Sequence, residues 1–150
     1  MPGRWHEPID TRRLPLAGML AAVVALGLNV GLSEVGRRWL DVPKDEQLLS
    51  LVSISVTTVA AVAVAAFGLG ALAHTQARPF SAFRSLAAIV LLISCIGPLA
   101  ARAGWIPDIA TISTPAMTIM LVMHVATTAV IVAFFTTLPR AGEPRRRFGA

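Results

Sequence analysis

The 150-residue chain has no tyrosine, one cysteine (Cys95) and one lysine (Lys44). A single cysteine excludes an intrachain disulfide, a Cys-x-x-Cys redox pair and a cysteine zinc cage. Charge is scarce as well: Asp, Glu, Lys and Arg make up 14% of the residues, against about 25% in ordinary globular domains. Where charge is missing matters more than how much is missing. Residues 14–32, 48–73, 85–101 and 115–138 contain none, so 86 residues carry no charge and all 21 charged side chains fall in the other 64. A water-soluble helix keeps one polar face, and these blocks have no such face. The 55% hydrophobic composition also excludes a disordered chain.

The four blocks are 19, 26, 17 and 24 residues long, about 26–39 Å as helices, against a hydrocarbon layer of about 30 Å. They show none of the polar–apolar alternation of membrane barrel strands. The chain therefore reads as an all-α membrane protein, a single domain of four transmembrane helices. The first block follows Arg12 and Arg13. It is longer than a signal-peptide core and reads as a retained helix.

Boundary residues agree. Ser113-Thr114-Pro115 offers a hydroxyl cap and a first-turn proline, and Leu138-Pro139 closes the last block. Asp45 and Glu46 suit the positive end of the second helix. Trp39 and Trp105 mark one membrane face. The N-terminal tail, residues 74–84 and the C-terminal tail hold nine Lys and Arg, whereas residues 33–47 and 102–114 hold four. The positive-inside rule then places both termini in the cytoplasm, and short loops favour an up-down four-helix bundle. The basic residues, including Arg140 and the run Arg145-Arg146-Arg147, flank apolar blocks. Their expected partners are anionic lipid headgroups, not nucleic acid.

Polar residues inside the spans are the candidates for function. Gly27 and Gly31 form a small-xxx-small pair, read as a helix contact within the bundle with dimerisation as the alternative. Asn29 reads as an interhelical hydrogen-bond donor. In the second block Ser50, Ser53 and Thr57 share a face with Ala60, Ala61, Val64 and Gly68, either packed closely with hydroxyls bonded to their own helix or lining a polar cavity. In the third, Gly97-Pro98 predicts a kink, because Pro98 leaves the Ser94 carbonyl without its helical donor. Cys95 reads as a small buried apolar residue.

His124 is, with Cys95, the titratable side chain inside the blocks, and Thr127 and Thr128 share its face. His6 and His74 sit too far away in depth to pair with it as axial ligands. No metal or cofactor is expected. Helical rise puts Asn29 near the outer end of its span and His124 about 14 Å in, so the polar groups gather in the outer half. The expected contact is a bond from His124 to Thr57, Ser53 or the Ser94 carbonyl across the bundle.

Residues 69–140 resemble an uncharacterised actinobacterial family of small four-helix membrane proteins. The likeness rests on Ser94-Cys95-Ile96-Gly97-Pro98 closing an aliphatic run and on Leu121-Val122-Met123-His124 in the last helix. The chain departs from that family at Phe134-Phe135-Thr136-Thr137-Leu138-Pro139, where members often end in Ile-Pro-Gly-Leu. The resemblance implies the four-helix architecture and no assigned activity. The functional expectation is a non-enzymatic membrane protein, an accessory or homo-oligomeric subunit with a polar site around His124. The alternative is a small transporter or channel using His124 in place of an acidic residue.

Overall fold

The computed structural model describes residues 7–43, 46–106 and 111–140. These form helices α1 (Leu14–Trp39), α2 (Leu51–Thr75), α3 (Pro79–Ser94), α4 (Ile96–Arg102) and α5 (Thr114–Thr137), with 3-10 turns at Thr11–Arg13 and Gln47–Leu49. α3 and α4 make one interrupted span, giving four helices long and apolar enough to cross a membrane. His6, Lys44, Asp45 and the Arg145-Arg146-Arg147 run lie outside the described residues.

The caps follow from local chemistry. Ser50 and Ser113 accept the backbone N–H groups of Ser53 and Ala116, both at 3.2 Å, and so satisfy donors that a helix start leaves free. Two boundaries differ from the sequence reading. α1 continues past residue 32 to Trp39, because Ser33–Trp39 contains no proline and Arg38 pairs with Glu34 one turn back at 2.7 Å. The third span begins at Pro79 instead of residue 85, since proline fits a helix start and Glu7 accepts the Phe80 N–H at 2.8 Å. Just before the Gly97-Pro98 pair, α3 stops at Ser94, Cys95 forms a turn and α4 resumes at Ile96.

α1 packs most closely on α5 and α2, and α3 touches α2 and α5. The buried seam of α1 is Ala17, Ala21, Ala25, Asn29, Ser33 and Gly36, a row of small residues at helical spacing. Such a row lets backbones approach where lipid removes the hydrophobic drive between helices. Gly27 and Gly31, expected to make that contact, face outward, and a methyl group on either would meet nothing within 4 Å. Contacts link the elements at the two ends. At one end Asp10 donates to the Pro139 carbonyl, Ile9 bridges Arg140, and Glu7 donates its N–H to the Ala77 carbonyl. At the other, Ser33 and Arg37 donate to the Leu49 carbonyl and Arg102 to Thr114.

Two apolar clusters fill the interior. One lies toward the chain ends around Phe80, Phe83, Leu69 and Phe135, with the Phe83 and Phe135 rings 5.9 Å apart. The other lies at the opposite end around Leu49, Ile54, Ile112 and Ile119. The third span joins this interior only near its ends: from Arg84 to Gly97 none of its residues is buried. Its middle therefore stands off the other helices and leaves a groove.

Candidate functional site

Small residues create the groove. On α2 its wall is Thr57, Ala60, Ala61, Val64 and Gly68, the face picked out by spacing in the sequence. α3 contributes Leu86, Ala87, Val90 and Ser94, while α5 contributes Met120, Met123, His124, Thr127 and Thr128. Phe83 and Ile131 line it toward the chain ends. Its volume is about 470 Å³, within the range of about 300–1,000 Å³ usual for small-molecule sites. The wall contains no Asp, Glu, Lys, Arg or Cys, and most of it is Ala, Val, Leu, Ile, Met and Phe.

Six of the seven polar residues singled out from the sequence meet at this groove: Asn29, Thr57, Ser94, His124, Thr127 and Thr128. Ser53 does not line it; its backbone carbonyl instead accepts the Thr57 hydroxyl at 2.7 Å. Both readings of the α2 face hold in part. The hydroxyl bonds to its own helix, yet the small-residue face is open groove wall instead of a tight contact.

The polar hub is Asn29, not His124. Asn29 Nδ2 donates to Thr58 Oγ1 at 2.9 Å and Thr127 Oγ1 at 2.8 Å, tying α1 to α2 and α5. Its donor role was legible in the sequence; the Thr58 partner was not. The missed signal was the four-residue spacing Ile54-Thr58-Val62, which is the buried stripe of α2. Asn29 is 5% exposed, and its Oδ1 is buried without a hydrogen-bond partner. Because α1 runs to Trp39, Asn29 lies about 15 Å in from the helix end at 1.5 Å per residue, instead of near it.

His124 does not bond Thr57, Ser53 or the Ser94 carbonyl. Its Nδ1 lies 2.7 Å from the Met120 carbonyl, one turn back on its own helix. Thr57 and Ser94 also satisfy themselves at home, Ser94 donating to the Leu91 carbonyl at 2.8 Å. For Thr57 and Ser94 an acceptor on the same helix lies within reach of the hydroxyl, and it wins over a partner across the gap. A carbonyl only accepts, so Nδ1 carries the proton in the neutral ring and Nε2 holds a lone pair. Among the described residues no group of three His, Cys, Asp or Glu is placed to hold a metal ion.

The arrangement can receive an uncharged, mostly apolar molecule and offer it hydrogen-bonding atoms at one level of the bundle. No family model, curated protein or solved structure matches the chain.

Proposed function

We propose that this is a non-enzymatic multi-pass protein of the cell membrane, an up-down four-helix bundle that binds an uncharged lipophile in the groove between α2, α3 and α5. The observation that carries the reading is the groove itself, with a charge-free wall and seven intramembrane polar residues gathered on it. The apolar exterior supports the membrane setting. Phe67 is 81% exposed, and Val23, Val52 and Leu92 also project outward, a surface that water would not tolerate.

Sidedness follows from charge. Arg12, Arg13, Arg78, Arg84 and Arg140 belong to the end where the described chain termini meet, against Arg37, Arg38 and Arg102 at the other, where Glu34 pairs with Arg38. The positive-inside rule assigns the first end, with both termini, to the cytoplasm. Trp39 and Trp105, 80% and 77% exposed, then sit at the outer headgroup level. The basic C-terminal tail, Arg145-Arg146-Arg147, meets anionic lipid headgroups at the inner surface.

Photo-crosslinking from the membrane tests the binding role. A photoreactive residue at Ala61, on the groove wall, is compared with one at the lipid-facing position Phe67. The proposal expects position 61 to capture a molecular species distinct from the bulk lipid captured at position 67. Bulk lipid at both positions would contradict it. Flux measurements in vesicles separate the transport alternative: equal flux for wild type and His124→Ala removes His124 from any transport step.

A further inference from the structure

Three of the chain's five methionines, Met117, Met120 and Met123, fall in the seven residues before His124. On α5 Met120 stands one turn back from His124 on the same face and Met123 stands beside it, and all three side chains line the groove. We propose that this corner of the groove is a site for a soft monovalent metal ion, copper(I), bound by His124 Nε2 and the thioether sulfurs of Met120 and Met123. The site is additional to the lipophile proposed above and does not depend on it.

The imidazole is already arranged as a ligand. A metal-binding histidine almost always gives its other ring N–H to a carbonyl or carboxylate, which fixes the tautomer and the ring plane. His124 has such a partner, since its Nδ1 lies 2.7 Å from the Met120 carbonyl. Nδ1 then carries the proton, and the Nε2 lone pair is left for an ion. Methionine is unbranched and flexible, and side chains four apart on a helix have Cβ atoms about 5–6 Å from each other. The Met120 sulfur therefore reaches the space beside the ring that its own backbone carbonyl orients. Met123, only 7% exposed, brings the second sulfur from the interior side.

Ligand chemistry selects the ion. The wall holds no Asp, Glu or Cys and a single His. Zinc draws on thiolates, several imidazoles or carboxylates, and calcium and magnesium draw on carboxylate oxygens. Thioether sulfur is soft and selects copper(I). The hydroxyls of Thr127 and Thr128 on the same wall are neutral and do not change that preference. Charge points the same way. Removing an ion's water in a low-dielectric site costs steeply more as its charge rises, and no anionic side chain on this wall offsets the cost. A single positive charge with three protein ligands in place of water is the least costly case.

The test uses the full-length protein in phospholipid nanodiscs, carrying Cys95→Ala, His6→Gln and His74→Gln so that no other thiol or imidazole competes. Copper(I) is supplied with ascorbate in the absence of oxygen, against a chromogenic copper(I) chelator. Bound metal is counted by native mass spectrometry, and X-ray absorption reads the ligand atoms. The proposal expects one copper(I) per chain with both sulfur and nitrogen ligands. It expects the ring ¹⁵N signal of His124 Nε2 to shift while Nδ1 stays protonated. Met120→Leu and Met123→Leu, nearly volume-conserving changes, and His124→Leu should each weaken binding roughly tenfold or more. Zinc(II) at the same concentration should not be retained. No copper(I) held against the chelator, affinity unchanged in His124→Leu or in both methionine variants, or an absorption spectrum without sulfur overturns the proposal. Zinc(II) held as firmly as copper(I) overturns it as well, because the soft ligands would then select nothing. None of these results alters the crosslinking expected at Ala61, so the metal site and the lipophile reading fail separately.

Discussion

Asn29 joins three helices through one amide nitrogen and leaves its oxygen without a donor. Interhelical bonds of this kind contribute about 0.6 kcal/mol on average and at most about 1.7. A double-mutant cycle of Asn29→Ala and Thr127→Val, followed by reversible unfolding in mixed micelles, is therefore expected to give a coupling of about 0.6 kcal/mol. Additive single effects would show that the bond contributes nothing. Glycine provides a second contrast. A methyl group at Gly36 would sit 2.8 Å from Ile119 Cγ1, whereas at Gly27 it would meet nothing. Gly36→Ala is expected to destabilise by about 1–3 kcal/mol through overpacking. Gly27→Ala gains up to about 1 kcal/mol in helix propensity. Unfolding midpoints that move in the same direction for both variants would contradict this packing. At this scale the sequence showed which residues are polar inside the spans but not whom they bond. The choice between Thr57 and Thr58 depends on helix rotation, which an almost uniformly apolar segment does not encode. The histidine expectation failed for a related reason: the nearest acceptor lay on its own helix.

At the scale of elements, the cap at Ser113 was readable because it rests on local backbone chemistry. The start of the third span was not. It depends on Glu7, 73 residues away in sequence, whose carboxylate accepts the Phe80 N–H. Arg140 reinforces the same corner, with its guanidinium 5.5 Å from the Phe80 ring centroid. Glu7→Ala is expected to cost about 1 kcal/mol, the usual value of a lost helix cap. Amide hydrogen exchange should then speed up in the first turn of α3 and stay unchanged in the middle of α5. Uniform acceleration along both helices would mean that Glu7 supports the whole bundle instead of one helix start. The groove is also a property of elements. α2 and α5 supply small and flexible residues opposite the stretch of α3 that stands clear. The sequence showed the small-residue face of α2; the separation of α3 from it arises from packing at Phe83 and Pro98, on either side of the gap.

The whole molecule is an assembly of four apolar helices whose outer surface suits hydrocarbon and whose ends carry unequal basic charge. Everything proposed for the groove depends on that setting, because an uncharged cleft competes for a ligand only where water is scarce. Single-cysteine accessibility in a Cys95→Ala background examines it directly, with cysteines placed in turn at Trp39, Trp105, Arg12 and Arg78 and a membrane-impermeant thiol reagent applied to intact cells. The account predicts labelling of positions 39 and 105 from outside, with positions 12 and 78 labelled only after the membrane is opened. Labelling of 12 and 78 from outside would reverse the proposed sidedness. Equal labelling of all four in a protein recovered without detergent would contradict the membrane setting altogether.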